Sequence, residues 1–205
     1  MYIPASFSVP DEASAFSFIE RYDFATLVTP SAAGNTLVTH LPLLLKRSDH
    51  PLLVGHVARA NEHWRHFDGS TQSIAIFHGP HGYVSPSWYK NKPAVPTWNY
   101  AVVHAYGCPR ATEDRRITSA VLQDLLQKYE GWRPRPWRIE EVPPDFYEQM
   151  VSHLVAFEMS IDRIESKFKL GQNRPGEDRE GTMRGLMAEG SPDAAALAAF
   201  MREQG

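Results

Sequence analysis

Between residues 24 and 107 the chain places five short apolar segments in succession, with no helix-length amphipathic stretch between each pair. They are FATLVT (24–29), TLVTHLPLLL (36–45), LLVGHVA (52–58), SIAIFH (73–78) and NYAVVHAYG (99–107). Parallel neighbours need long, usually helical crossovers, so this spacing favours an antiparallel sheet or barrel over a doubly wound sheet. SAAGN (31–35) and KRSDHP (46–51) supply turn chemistry between strands. Pro42 interrupts the second segment and predicts an edge position, a bulge or a strand end there. NEHWRHF (61–67) reads as one or two helical turns.

Helical spacing is confined to other parts of the chain. Ser8, Pro10 and Asp11 predict a helix start for about 9–21, with Phe16, Ile19 and Tyr22 forming one stripe. ITSAVLQDLLQKYE (117–130) carries an apolar face of Val121, Leu122, Leu125, Leu126 and Tyr129. HLVAFEMSIDRIESKFKL (153–170) reads as a sixth strand with one bend, and GQNRPGEDREG (171–181) as a polar loop, mobile in part. Ser191-Pro192-Asp193 starts an Ala-rich helix running to about 202. No repeat or linker divides the chain, so one domain is expected over 1–205, with a helical extension at about 191–202.

Composition narrows the function classes. A formal net charge of -3 gives no global attraction to nucleic acid. The basic segments RPRPWR (133–138) and SKFKLGQNR (166–174) are local, and solvated loops account for them equally well. The one cysteine, Cys108, excludes an intrachain disulfide and a Cys-rich zinc site. MYIPASFSVPDEASAF lacks a signal-peptide pattern, and no apolar run approaches the roughly 18–20 residues of a membrane span. A soluble, cytoplasmic protein is expected.

Neither common nucleotide signature is present, and GxSxG is missing, so no residue is marked as a nucleophile. His40, His56, His63, His66, His78 and His81 lie close in sequence, but HxxH at 63–66 lacks the zincin Glu. Arg59 and Arg65 would also repel a cation, so hydrogen-bonding histidines are expected and no metal site. Arg59, at a strand end with Thr39 and His40 on a neighbouring strand, has the chemistry of an anion site, or of an ordinary surface arginine. The segment GPHGYVSPSWYKNKPAVPTWNY (79–100) combines Trp88, Tyr89 and Trp98 with Thr97, Asn99 and three stiffening prolines after Ser85. Aromatic faces with polar edges suit a planar ring system, and a hydrophobic plug over one barrel end would use the same residues. Lys167 and Lys169 point the same way on an extended strand, as a solvated edge or as part of an anion site.

Several blocks in order, MYIPASF, FATLVT, THLPLLL, GHVARANEHW, IAIFHGPHGYVSPSWY, VPTWNYAVVHAYG and FKLGQNR followed by EDREG, resemble the PaiB-type family of FMN-binding negative transcriptional regulators. That family is similar to the pyridoxamine-phosphate-oxidase-like proteins. The resemblance implies a mainly β fold with peripheral helices, an FMN-binding split β-barrel that forms a homodimer with FMN in clefts between subunits. It places Thr39, His40, Leu41 and Pro42 along the flavin, and His56, Arg59, Ala60 and Asn61 near its phosphate and ribityl side. It brings Trp88, Tyr89, Thr97, Trp98 and Asn99 toward the pocket, and adds Lys169 and Gln172. Gly171 stands where members of the family often have Ser. The implied role is repression of transcription, with DNA contact having little support from composition. An FMN-dependent oxidoreductase acting on a small molecule and a non-catalytic flavin-binding protein are the competing readings.

Overall fold

The computed structural model describes residues 1–9, 11–31 and 34–205. Pro10 of the expected first helix start, and Ala32 and Ala33 of the 31–35 turn, lie outside the described residues. Among the described residues the strands are β1 (Phe24–Pro30), β2 (Thr36–Pro42), β3 (Leu44–Lys46), β4 (Leu52–Ala58), β5 (Ser73–Val84), β6 (Thr97–Gly107), β7 (Pro109–Thr112), β8 (Leu154–Ser160) and β9 (Arg163–Lys169). The helices are α1 (Glu12–Arg21), α2 (Arg115–Glu130), α3 (Pro144–Ser152), α4 (Gly176–Glu189) and α5 (Pro192–Glu203). A five-stranded sheet has the order β2-β1-β5-β6-β9, and a four-stranded sheet the order β3-β4-β8-β7.

Neither sheet closes on itself, and the α-helices hold about as many residues as the strands. The expected mainly β split barrel is therefore corrected to a mixed α/β fold with two open sheets. Two breaks explain the difference. Residues 36–46 are not one strand: β2 ends at Pro42, and after Leu43 the chain enters the other sheet as β3. Residues 153–170 likewise divide at Ile161 and Asp162, with β8 in one sheet and β9 in the other. Helices also cover apolar surface that a closed sheet would bury against itself. Val121 and Leu125 of α2 pack with Leu44, Val54 and Ala156 in one buried cluster.

The chain divides into two compact units, Met1–Phe18 with Phe77–Val103 and Glu165–Gly205, and Ile19–Ile76 with His104–Ile164. In the second unit β1 turns Ala25, Leu27 and Thr29 inward, and Thr29 Oγ1 and Ser73 Oγ satisfy each other at 2.7 Å. Asp114 caps α2 by accepting from Arg116 N at 2.9 Å. In the first unit Phe18, Phe168 and Phe200 stack pairwise, with centroids 5.0–5.9 Å apart. Leu197, Ala198 and Met201 of α5 are buried, and Ser191 caps that helix. Lys167 is buried there as well: its Nζ donates to Tyr2 O at 3.0 Å and lies over the Tyr2 and Tyr100 rings.

From Gly176 on, helix α4 replaces the loop expected over 171–181. Its buried residues are Asp178, Gly181, Thr182 and Leu186, a helical face made mostly of small and polar groups. Among the described residues no helix is long and apolar enough to cross a membrane.

Candidate functional site

In the second unit, the pleat of β2 splits the THLP block. Thr39 and the buried Leu41 share one face, while His40 and Pro42 take the other. His40 pairs across the ladder with Thr26, whose Oγ1 lies 3.1 Å from His40 Nδ1. After β4, Asn61 caps the short 3-10 turn Glu62–His66, its Oδ1 accepting from His63 N at 3.1 Å. The Asn61 Nδ2 donates to Thr39 Oγ1 at 3.0 Å, and Thr39 Oγ1 lies 2.8 Å from His63 Nδ1. His63 is 1% exposed and packs on Phe67 at 5.0 Å. Burial, with His66 adding repulsion, pulls its pKa down to about 4, so the imidazole is neutral near pH 7. Burial also lowers the pKa of His56 on β4, whose Nδ1 has no hydrogen-bond partner among the described residues.

Arg59 has a different setting from the one an anion site requires. Its Nε donates to Ser152 O at 3.1 Å, one terminal nitrogen to Glu113 Oε1 at 2.9 Å and the other to Leu154 O at 3.3 Å. The guanidinium therefore ties the end of α3 and the start of β8 to the turn after β4. Ala60 is exposed beside it in that turn.

In the first unit Lys169 is the focal cation. Its Nζ donates to Thr97 Oγ1 and, at 2.7 Å, to Trp98 O, and burial lowers its pKa from the ordinary lysine value. An ammonium has three N–H donors, so these bonds leave one for a ligand oxygen. Trp98 is 55% exposed and meets the Tyr83 ring edge-on at 6.2 Å. An open cleft of about 370 Å³ is lined by His78, Gly79, His81, Trp98, Tyr100, Ala101 and Val102, and neither Lys169 nor Thr97 is part of that lining. Asn99 faces the opposite way, buried, with its amide 3.6 Å from Met201 Sδ. Gln172 closes its own turn, accepting from Leu170 N at 2.8 Å and donating to Phe168 O at 2.6 Å.

The first half of the aromatic segment is packed against α4. A Cβ at Gly181 would lie 2.2 Å from Trp88 O, and one at Gly185 2.2 Å from Trp88 Cδ2. Tyr89 is buried, with the Arg174 guanidinium 4.8 Å over its ring. Fully buried Asp178 accepts from Lys90 N at 2.9 Å and from Asn91 N at 3.0 Å. These bonds, that of Asn91 N foremost, hold its carboxyl below the usual aspartate pKa. Trp88 and Tyr89 thus serve packing, while Thr97 and Trp98 belong with Lys169. The structure adds Tyr100 to the residues of interest and gives settings to His63, His78 and His81, named from sequence only as hydrogen-bonding histidines. The Asn61-x-His63 spacing is the sequence signal that links His63 to Asn61, because an Asn cap reaches the N–H two residues on.

An ammonium beside a hydroxyl suits a phosphate oxygen, and the cleft walled by Trp98 and Tyr100 suits a planar ring. Residues 1–163 match the family model described as "Putative FMN-binding domain"; Lys169 and helices α4 and α5 lie beyond the matched residues. The chain is 35% identical over 205 residues to "Protease synthase and sporulation protein PAI 2" of Bacillus subtilis (strain 168), covering 100% of this chain and 98% of that one. Among solved structures it is similar to a flavocytochrome from Azotobacter vinelandii, with a TM-score of 0.60 and 14% identity over 85% of this chain and 75% of that one. It is also similar to the FAD and heme binding protein from Mycobacterium smegmatis, with a TM-score of 0.58 and 13% identity over 90% and 80% of the two chains. At such identities the likeness is one of fold alone.

Proposed function

The chain belongs to the PaiB-type family of FMN-binding proteins and its cofactor is FMN, and from that premise we propose that it is a cytoplasmic, FMN-dependent negative regulator of transcription. The observation that carries this reading is the 35% identity that runs over the whole of this chain and 98% of the Bacillus subtilis protein. It works as a homodimer with FMN held in clefts between the subunits. Regulation passes through a partner protein in preference to direct contact with DNA, given a formal net charge of -3.

When bound, FMN supplies a redox-active isoalloxazine ring. The chain's own residues bind and orient it. Lys169, held by Thr97 and the Trp98 carbonyl, would offer its remaining N–H to a phosphate oxygen. Trp98 and Tyr100 offer apolar ring faces that exclude water. Arg59 is assigned to the scaffold, because its fork is occupied by Glu113 and two backbone carbonyls.

Fluorescence titration with FMN tests the premise: saturation is expected, and no saturable response at tens of micromolar FMN would overturn it. Lys169→Met is expected to weaken FMN about tenfold or more while changing riboflavin, which lacks the phosphate, far less. Equal weakening of both would place Lys169 away from the phosphate. Transcript profiles of cells lacking the protein test the regulatory role. Transcripts should rise and be restored by the wild type but not by a variant unable to hold FMN. Saturable NADH or NADPH oxidation above the free-flavin rate, with unchanged transcripts, would replace the regulator with an oxidoreductase.

A further inference from the structure

The Asn61–Thr39–His63 cluster contains more information than a polar contact. The amide orientation of Asn61 is fixed, because the His63 N–H must face its oxygen at 3.1 Å. Its Nδ2 is then the atom 3.0 Å from Thr39 Oγ1, and it occupies one of the two acceptor positions of that hydroxyl. The second position depends on His63, whose Nδ1 lies 2.8 Å away. His63 Nε2 is buried with no hydrogen-bond partner among the described residues. A buried orphan N–H is rarer in folded proteins than an under-used acceptor. The tautomer that leaves Nε2 bare therefore carries its proton on Nδ1 and donates it to Thr39. Both acceptor positions of Thr39 Oγ1 are then filled, and its own proton has no place inside the cluster.

We propose that Asn61 and His63 fix Thr39 as an outward, one-way hydrogen-bond donor, which selects an acceptor atom of the flavin: a carbonyl oxygen, an unprotonated ring nitrogen or a phosphate oxygen. This rests on the FMN reading for its ligand, but the proton arrangement belongs to the protein alone. Asn61 and His63 are positioning residues, and Thr39 is the binding residue.

Nitrogen-15 NMR of the FMN-free protein reads the tautomer directly: the His63 proton is expected on Nδ1, with Nε2 bare. A proton on Nε2 would overturn the proposal, whether or not FMN binds. The second measurement is FMN affinity in Thr39→Val, Asn61→Asp and the double variant. Asn61→Asp keeps the oxygen facing His63 N but replaces the Nδ2 donor with an acceptor, so the Thr39 proton turns inward. Both single variants should weaken FMN about tenfold, and the double variant no further. Thr39→Ser should stay near the wild type. Full affinity in Asn61→Asp beside a weakened Thr39→Val, or additive losses in the double variant, would overturn the proposal. Failure of the wild type to bind FMN would sink the cofactor reading instead, leaving the tautomer to decide the proton arrangement.

Discussion

Gly171 follows β9 with φ at +79°, in the left-handed region where a Cβ is strained. Its nearest neighbours to a built Cβ are 3.7 Å and 3.8 Å away, so crowding is not the constraint. Gly171→Ala should therefore cost about 1–2 kcal/mol from the backbone alone, read as a lower urea midpoint, and Gly171→Asn should cost less. Equal midpoints would remove the conformational explanation. His63 makes a second prediction at this scale. Its folded pKa of about 4 lies below the ordinary histidine value of 6.5, so between these values the unfolded chain binds more protons. Its contribution is complete above pH 6.5 and is lost as pH falls toward 4, by up to about 3 kcal/mol. Wild type and His63→Gln should thus converge in stability across that window; parallel curves would contradict a buried neutral imidazole.

Helix α4 shows how an element's constraint can oppose its propensity. Gly→Ala within a helix ordinarily gains about 0.5–1 kcal/mol. At Gly185 the added methyl would lie 2.2 Å from the Trp88 ring. Gly185→Ala is expected to destabilise by about 1–3 kcal/mol and alter the near-UV circular dichroism of Trp88. Gly176→Ala, with nothing within 4 Å, should be neutral or stabilising. A stabilised Gly185→Ala would show that Trp88 does not rest there. The same helix marks where sequence reading reached its limit. α2 was legible because its apolar residues keep a helical period, and β1 and β4 because each is a short apolar run rich in β-branched or aliphatic residues and bounded by turn signals. The buried face of α4 is Asp178, Gly181, Thr182 and Leu186, so hydrophobic periodicity is blind to it. The barrel expectation failed at Leu43 and at Ile161–Asp162, where continuous apolar patterning conceals a change of sheet. Thr39 and Asn61 in one unit, and Thr97, Trp98 and Lys169 in the other, are binding candidates named from their chemistry and the family resemblance. The engagement of Arg59 was not legible, because Glu113 and Ser152 lie 54 and 93 residues away in sequence.

For the whole molecule, the proposed homodimer is the point that most needs measurement. Exposed Tyr2, Tyr83 and Trp98 in one unit leave aromatic surface of the type enriched at subunit interfaces. Sedimentation at micromolar protein should give twice 23.2 kDa; a monomer at all concentrations would count against the dimer and the shared FMN clefts. The segment order of the two units has another consequence, for synthesis on the ribosome. The unit containing Lys169 joins Met1–Phe18 to Glu165–Gly205, whereas the other is encoded entirely by Ile164. At roughly 5–20 residues per second, the last segment emerges about 2–8 s after the rest. Throughout that interval the N-terminal segment and the β5–β6 aromatics are already made, while the strand and helices that complete their unit are still missing. The nascent chain therefore exposes the unit that contains Lys169 and Trp98 longest, which makes that unit the natural substrate for chaperones and the first place where slowed translation would lead to aggregation.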